Sequence, residues 1–306
     1  MEETNMVNGN KSTQEALIKH QPVPEDPADR RIVNLIEREF TPTSWAQQTF
    51  VDIREMLVKY YRDSLQHPND SGHIHDRTQK LLSDIAKRAN TKIVRGGEYL
   101  RSLPKQSPVF LLTNHLGAYK LANVDPLEDL KIDIGLRSMH ALPLFHASNQ
   151  VVAAVLRDNL YIAAYEFPGV IGEIQKSADG VIVPLEGTGR IDYLAEETRR
   201  LMQRHPNSAL SVLPEGGTSG KRNGGGPYDL EPFRKGVFAI AYRVGCPLIP
   251  VVQYFDPNSG FELAILPRIE MTPPEDIEGA KEYFTQLADK TRVDMQAWLD
   301  QRKQAA

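Results

Sequence analysis

The residues in this sequence that can do chemistry follow directly on short apolar segments. The segments and their successors are PVFLLT at 108–113 before Asn114 and His115, GVIVPL at 180–185 before EGTGR at 186–190, and ALSVLP at 209–214 before EGGT at 215–218. Together they supply a histidine, two carboxylates, an arginine and several glycines. Groups of these kinds can move a proton and bind an anion. The three segment ends therefore hold the candidate functional residues.

His115 is the candidate general base. An imidazole titrates near neutral pH, with an unperturbed pKa of about 6.5, so it can take up and release a proton under cellular conditions. A histidine considered alone is more often structural. The place of His115 at the end of an apolar segment, in a chain that ends two further segments with carboxylates, favours a catalytic role.

The segment GGTSGKRNGGG at 216–226 is the candidate anion site. It has six glycines, the cations Lys221 and Arg222, and no acid. Glycines let successive backbone N–H groups turn toward one anion, and the cations add charge, which suits a phosphate. The segment is not a P-loop, because Glu215 stands where the first glycine is required and Arg222 where Ser or Thr is required. Nor is it a nucleophile elbow, since Lys221 stands two residues after Ser219.

The elements that must position these residues alternate between strands and helices after residue 90. The expected strands are at 108–113, 132–136, 180–185, 209–214, 247–255 and 261–266, and the expected helices at about 146–160, 190–204, 232–244 and 276–302. This alternation predicts an α/β fold with a mostly parallel central sheet flanked by helices. Ligands of such sheets bind beyond the carboxyl ends of the strands, where the candidate residues stand.

The first 90 residues have a different pattern. Residues 1–24 are polar and lack apolar periodicity, which predicts a disordered tail. Apolar residues at helical spacing predict a helical N-terminal region at 25–90, ahead of an α/β domain at 91–306. The turn-forming stretch HPNDSGHIHD at 67–76 carries three histidines. Because no cysteine or second ligand cluster accompanies them, we expect a solvated loop and no metal site.

Composition is typical of a globular protein from a reducing compartment. Of the 306 residues 41% are hydrophobic and 25% charged, the formal net charge is -4, and Cys246 is the single cysteine. One cysteine excludes a disulfide framework, and the net acidity argues against broad nucleic-acid binding. There is no run of about 20 apolar residues and no signal peptide, so we expect a cytoplasmic location. Cys246 is expected to be buried rather than nucleophilic.

Four sequence blocks occur in order between residues 109 and 252. They are TNHLGAYKLANVDPL at 113–127, GVIVPLEGTGR at 180–190, LPEGGT at 213–218, and FRKG at 233–236 followed by PLIPV at 247–251. The set resembles the blocks of the glycerolipid acyltransferases, the superfamily of glycerol-3-phosphate and 1-acylglycerol-3-phosphate acyltransferases. In that family they read Asn-His-x4-Asp, Gly-x-x-Phe-Ile-x-Arg, Phe-Pro-Glu-Gly-Thr-Arg-Ser, and Phe-Lys-x-Gly before a proline-bounded strand. The order of four blocks makes the resemblance more specific than any one motif.

The resemblance implies roles for individual residues. His115 matches the catalytic histidine of the first block, and backbone N–H groups near Gly216 and Gly217 would stabilise an oxyanion. The third block carries an extra glycine, so Lys221 or Arg222 must replace its arginine. The residues implied to bind substrate are Asn114, Arg190, Gly216, Gly217, Thr218, Lys221, Arg222, Arg234 and Lys235.

The first block departs from the family pattern. The family has an aspartate five residues after the histidine, where this chain has Lys120, and its Asp-Pro pair begins at Asp125, ten residues after His115. On one continuous helix these two positions face different directions, so Asp125 reaches the imidazole only across a loop or bulge. Glu215 and Glu186 are the other carboxylates that could orient the imidazole. The expected catalytic set is therefore His115 with Asp125 or Glu215.

The function that the resemblance implies is transfer of a fatty acyl group from acyl-CoA or acyl carrier protein to a hydroxyl of a glycerol-phosphate or lyso-lipid acceptor. His115 would remove the acceptor's proton, no cofactor is expected, and nucleic acid is not an expected partner. The lipid would be met through a soluble carrier or by peripheral contact with a membrane. Two alternatives stay open: an acyltransferase for an amine or sugar, and a non-catalytic acyl-binding or lipid-binding homologue, which Lys120 favours.

Overall fold

The computed structural model describes residues 42–67, 70–103, 108–116, 132–133, 138–139, 149–156, 159–165, 180–183, 189–217, 219–220 and 222–305. Within them the fold is α/β, with helices on both faces of a mostly parallel sheet. The helices are α1 (Trp45–Gln66), α2 (Ser71–Arg88), α3 (Gly97–Arg101), α4 (Asn149–Leu156), α5 (Arg190–Arg204), α6 (Gly236–Val244) and α7 (Ile277–Ala305). The strands are β1 (Lys92–Arg95), β2 (Val109–Thr113), β3 (Ile132–Asp133), β4 (Ser138–Met139), β5 (Asn159–Tyr165), β6 (Val181–Val183), β7 (Ser208–Val212), β8 (Leu248–Asp256) and β9 (Gly260–Ile265). None of these helices combines the length and apolar character needed to cross a membrane.

Seven of the described strands form one sheet in the order β1-β9-β8-β2-β7-β5-β6. The five strands from β8 to β6 run parallel to one another. β9 runs antiparallel to β8, and β1 pairs with β9 in parallel at the edge. β2 therefore has a parallel neighbour on each side, and its Leu112 is paired with Val212 of β7. The segments that precede His115 and Glu215 thus end side by side.

The alternation of side chains along β2 builds two hydrophobic cores. Val109 and Leu111 lie in the core shared with α1, α2, α3 and α4, whereas Phe110 and Leu112 lie in the core shared with α5, α6 and α7. Every residue of β2 is buried, as expected for a central parallel strand covered on both faces. The helical N-terminal region therefore shares one core with the sheet.

A side chain of α2 ties this helical region to the sheet. The Gln79 amide donates to the carbonyl of Leu160 in β5 at 2.7 Å and accepts the N–H of the same residue at 3.1 Å. On its other side Leu160 is paired with Ala209 of β7, while β6 pairs only from Ala163 onward. On the side of Leu160 that faces away from β7, no described strand pairs with this residue. Gln79 therefore supplies the hydrogen-bond partners of its N–H and carbonyl groups.

The expected fold class is confirmed, and most expected elements form where the pattern places them. The strands β2, β6, β7, β8 and β9 fall within one or two residues of the predicted segments, and α5 spans 190–204 as predicted. Of the strand expected at 132–136, Ile132–Asp133 forms β3. The expected disordered tail lies outside the described residues.

The prediction of a solvated loop at 67–76 is wrong. Helix α2 begins inside it, at Ser71. The Asp70 carboxylate accepts the N–H of His73 at 2.9 Å, so a residue that was interpreted as a turn former is the N-cap of a helix. The histidines at 73 and 75 therefore stand on a helix rather than in a loop.

Three described strands were not predicted from the sequence patterns: β1, β5 and the two-residue β4. The helix expected at about 146–160 ends at Leu156, and Asn159–Tyr165 forms β5 instead. The two elements are separated by two residues, so one helical periodicity was extended over both. β1, at Lys92–Arg95, lies at the edge of the sheet with mostly exposed side chains and therefore lacks an apolar run.

Candidate functional site

His115 and Glu215 meet at the carboxyl edge of the sheet. They follow β2 and β7, which are neighbours, and the backbone N–H of His115 donates to Glu215 Oε1 at 2.7 Å. The N–H of buried Ser219 donates to the His115 carbonyl at 3.0 Å, and its hydroxyl donates to Glu215 Oε1 at 2.9 Å. The main chain of His115 is thus held on both sides, which fixes the position from which its half-buried side chain projects.

Glu215 is fully buried and accepts three hydrogen bonds from residues that the structure describes. Besides His115 and Ser219 on Oε1, the backbone N–H of Glu231 donates to Oε2 at 2.8 Å. The sequence offered Glu215 as an alternative to Asp125 for orienting the imidazole. These three contacts instead join the carboxylate to two main-chain N–H groups and a hydroxyl, so its described contacts organise the backbone around His115.

Burial raises the pKa of the Glu215 carboxyl above its ordinary value. The hydrogen bonds from the His115 and Glu231 N–H groups and from Ser219 act in the opposite direction, and the negative charge of Glu231 adds to the rise. Desolvation outweighs the three donors. The residue therefore holds its proton more readily than an exposed glutamate does.

The glycine-rich segment folds against Glu215 through Arg222 and a second buried carboxylate, Glu231. The Arg222 guanidinium donates to the Glu215 carbonyl at 2.5 Å, and its Nε lies 3.8 Å from Glu231 Oε2. Glu231 also accepts the backbone N–H groups of Arg222 and Asn223. Arg222, which the sequence assigned to substrate binding, thus holds the loop and lies beside two buried acids, while its side chain remains 44% exposed.

Gly220 closes this loop in a conformation that only glycine adopts easily. Its φ is +69°, and a Cβ added there would lie 2.1 Å from the Gly226 carbonyl oxygen and 2.6 Å from that of Gly225. We expect Gly220→Ala to lower the free energy of unfolding by at least about 2 kcal/mol, measured by urea denaturation. Gly224→Ala is the matched control, because Gly224 has a φ of +71° and an added Cβ meets nothing within 4 Å. Equal losses in the two variants would contradict the close approach.

The side chain of Asn114 forms hydrogen bonds with the neighbouring strand β8. Its amide nitrogen donates to the Gln253 carbonyl at 3.1 Å, and its amide oxygen accepts the Gln253 N–H at 2.7 Å. The fully buried side chain thus extends the pairing of β2 with β8 beyond Thr113 and Val251. In the structure Asn114 therefore fixes the strand end just before His115.

The other predicted cations lie at different distances from His115. Arg234 is exposed, and its backbone N–H donates to the Pro214 carbonyl at 2.8 Å, which places it beside the Glu215 turn. Lys235 is exposed at the start of α6 and donates to Thr285 at 3.2 Å. Arg190 begins α5, the helix that follows β6, and β6 lies three strands from β2, or about 14 Å at about 4.8 Å per strand. Its Nε is buried and has no hydrogen-bond partner among the described residues.

Several predicted residues fall outside the part of the chain that the structure describes. They are Asp125, Thr218 and Lys221, together with Lys120 and Glu186. Gly216 and Gly217 are described and half-buried, and the N–H of Gly216 donates to the Leu213 carbonyl at 3.2 Å. The structure therefore brings His115, Glu215, Gly216, Gly217 and Arg222 into one neighbourhood, with Asn114 behind them.

Sequence reasoning missed three buried polar residues that support this neighbourhood. Ser219 and Glu231 hold the glycine-rich loop, as described above. The Asn149 amide donates to Thr113 Oγ1 at 2.6 Å and to Ser211 Oγ at 2.7 Å, which joins the ends of β2 and β7. A polar residue in an otherwise apolar run, such as Ser211 within ALSVLP, was the available signal for this contact.

Cys246 is buried and plays no part in the site. Its Sγ lies 3.1 Å from Met202 Sδ, and burial raises the pKa of the thiol to about 12. At pH 8 we expect iodoacetamide to modify the native protein about a thousandfold more slowly than the denatured protein, because the thiolate is the reactive form. Mass spectrometry of the alkylated chain measures this ratio. Equal rates would contradict the buried position.

Comparisons with known proteins were made with both sequence and structure. Neither a protein-family model nor a curated protein sequence matches the chain. The fold is similar to that of the 1-acyl-sn-glycerophosphate (LPA) acyltransferase PlsC from Thermotoga maritima, with a TM-score of 0.43 and 14% identity. The match covers 82% of this chain and 95% of that chain. Similarity of this degree carries no weight for activity, so the function must be inferred from the site itself.

Proposed function

We propose that this chain is an acyltransferase that moves a fatty acyl group from a thioester to a hydroxyl of a glycerol-phosphate or lyso-lipid acceptor. The observation that carries the proposal is a half-buried histidine at the carboxyl edge of a central parallel strand, with its main chain held by Glu215 and Ser219. This edge is where such sheets bind their ligands. The four sequence blocks that resemble glycerolipid acyltransferases support the same assignment.

His115 acts as the general base. Its imidazole takes the proton of the acceptor hydroxyl while that oxygen attacks the thioester carbon and a C–O bond forms. The tetrahedral intermediate then expels sulfur, the C–S bond breaks, and the leaving thiolate takes up the proton from the imidazolium. The acceptor is itself the nucleophile, so no acyl-enzyme forms and buried Cys246 is not required.

The developing oxyanion needs hydrogen-bond donors that are already in place, each worth about 3 kcal/mol of the barrier. Of the two predicted donors, the Gly216 N–H already donates to the Leu213 carbonyl. Gly217 is half-buried, and its N–H belongs to the same turn beside Glu215. We therefore assign the Gly217 N–H as the principal oxyanion donor.

The two candidate carboxylates take different roles in this proposal. Glu215 is a positioning residue, because its oxygens accept hydrogen bonds from the main chain on both sides of the site. Orientation of the imidazole is then left to Asp125, the acid of the Asp-Pro pair in the first block. A carboxylate bonded to the second ring nitrogen would fix the tautomer and stabilise the imidazolium.

The cations are proposed to bind phosphate on the acceptor or on the acyl donor. Arg222 and Arg234 both belong to the segments around Glu215 and have exposed side chains. Arg190, at the start of the helix that follows β6, suits a more distant phosphate such as that of a CoA or carrier-protein arm. Thr218, Lys221 and Lys235 complete the proposed set.

The experiment that tests this function uses the purified full chain. It is incubated with long-chain acyl-CoA or acyl carrier protein and one acceptor at a time: glycerol-3-phosphate, a lysophospholipid, an amine and a sugar. Release of free thiol is followed by a chromogenic disulfide. We expect thiol release that depends on a hydroxyl acceptor bearing a phosphate.

Two other outcomes would redirect the proposal. Thiol release with the amine or the sugar alone would retain the acyltransferase and replace the acceptor. Binding of acyl chains without thiol release in any mixture would contradict the enzymatic function and favour a lipid-binding protein, the alternative that Lys120 in the first block raises.

A further inference from the structure

A cluster of potential metal ligands lies at the turn between α1 and α2, away from the carboxyl edge of the sheet. It consists of Asp63, His67 and His73, called here the hairpin cluster. One ligand atom of each residue lies within 4.8 Å of a ligand atom of each of the others. His73 Nε2 and Asp63 Oδ2 are 2.7 Å apart, and the ring centroids of the two histidines are 4.3 Å apart.

The helices bring these side chains together for simple reasons. Asp63 lies in the last turn of α1, and His67, four residues further on, is the C-cap residue that ends this helix. His73 lies in the first turn of α2, which Asp70 caps. The close antiparallel packing that follows a short turn then sets the first turn of one helix against the last turn of the other.

We propose that the hairpin cluster binds one divalent transition-metal ion of the Zn²⁺ type. Two imidazoles and one carboxylate are a ligand set that suits such an ion, with water in the fourth position. Tetrahedral bonds of about 2.0–2.1 Å place ligand atoms about 3.4 Å apart, so the present spacing needs only small side-chain rotations. The side chains are reachable, since His67 is exposed and those of His73 and Asp63 are 32% and 26% exposed.

Arg77 is the one described cation that competes for the cluster. Its Nε lies 3.0 Å from Asp63 Oδ2, the same oxygen that faces His73. A bound ion must share the carboxylate with this guanidinium or take the second oxygen. Removal of the Arg77 charge is therefore expected to tighten metal binding, whereas removal of a ligand is expected to weaken it.

A bound ion would cross-link the end of α1 to the first turn of α2. Helix α2 also carries Gln79, whose amide pairs with Leu160 of β5. The cross-link would therefore restrict the movement of α2, one of the helices that cover one face of the sheet. The proposal is independent of the acyltransferase function, because no residue of the hairpin cluster lies at the carboxyl edge.

Isothermal titration calorimetry with Zn²⁺ alone, on the metal-free full chain, tests the site. We expect one ion per chain, and an affinity that falls by more than about tenfold in His67→Gln and in His73→Gln. Arg77→Gln should bind more tightly than the wild type. His75→Gln is the matched control, since His75 stands two residues further along α2, stacks on Tyr161 and lies outside the cluster.

Failure of the wild type to bind Zn²⁺ would overturn the proposal, as would an affinity left unchanged by both ligand variants. Because His67 is exposed, its replacement leaves the core unaltered, and the melting temperature of each metal-free variant checks the fold. Loss of binding in His75→Gln with retention in His67→Gln would place the ion elsewhere and contradict the assignment.

Discussion

Replacement of His115 by alanine is expected to lower the rate of acceptor-dependent thiol release by about 10²- to 10⁴-fold, the range that a positioned general base contributes. The described contacts of His115 with Glu215 and Ser219 are made by its backbone N–H and carbonyl, which alanine keeps. Its side chain is only half-buried, so no large cavity results. The loss should therefore fall on catalysis rather than on folding, and a thiol assay under saturating donor measures it.

The control for this variant is its own stability and binding. The free energy of unfolding from urea denaturation should stay close to that of the wild type, and the acyl donor should still bind. A fully active His115→Ala chain would remove the general base from the mechanism. A variant that is both inactive and unfolded would show that the histidine side chain is needed for folding. That result would contradict the expectation from its backbone contacts, which alanine keeps.

Replacement of Glu215 by alanine is expected to lower the free energy of unfolding by about 3–5 kcal/mol, toward the lower end of the summed cost of three unpaired buried donors. Alanine leaves three buried donors without their acceptor, namely the N–H groups of His115 and Glu231 and the hydroxyl of Ser219. Each unpaired buried group costs about 1–3 kcal/mol. Urea denaturation followed by far-ultraviolet circular dichroism measures the change.

Two milder variants calibrate the Glu215 result. Glu215→Gln keeps the volume and one acceptor oxygen but turns an amide N–H₂ toward a backbone donor, so we expect an intermediate loss. Ser219→Ala removes one donor rather than the shared acceptor and should cost about 1 kcal/mol. A loss below 1 kcal/mol in Glu215→Ala would contradict the role of the carboxylate as the centre of the loop.

The mostly parallel sheet and the positions of its central strands were predictable because buried parallel strands are continuous apolar runs. PVFLLT and ALSVLP could be recognised from their composition, and the rule for parallel sheets placed His115 and Glu215 at one edge. Edge strand β1 and the change from helix α4 to strand β5 were not predictable in this way. Two of the four residues of β1 are charged, so β1 is not an apolar run. Only two residues separate α4 from β5, so the end of the helical pattern was missed.

The roles of individual polar residues depended on three-dimensional contacts that spacing does not encode. Glu215 was one of the carboxylates that could have oriented the imidazole, and its described contacts are to two main-chain donors and the Ser219 hydroxyl. Asn114 was expected to bind substrate and Gln79 had no assigned role, yet each pairs with the backbone of a strand far along the chain. Such contacts join residues up to 139 positions apart, so local patterns carry no trace of them.

The central claim is that an acyl group passes from a thioester to an acceptor hydroxyl with His115 as the base. One measurement tests it most directly: mass spectrometry of the acceptor after incubation with an isotope-labelled acyl thioester, for the wild type and His115→Ala. The account predicts a labelled acyl ester with the wild type, formed together with one free thiol, and almost none with the variant. No labelled ester from the wild type, or equal amounts from both chains, would contradict it.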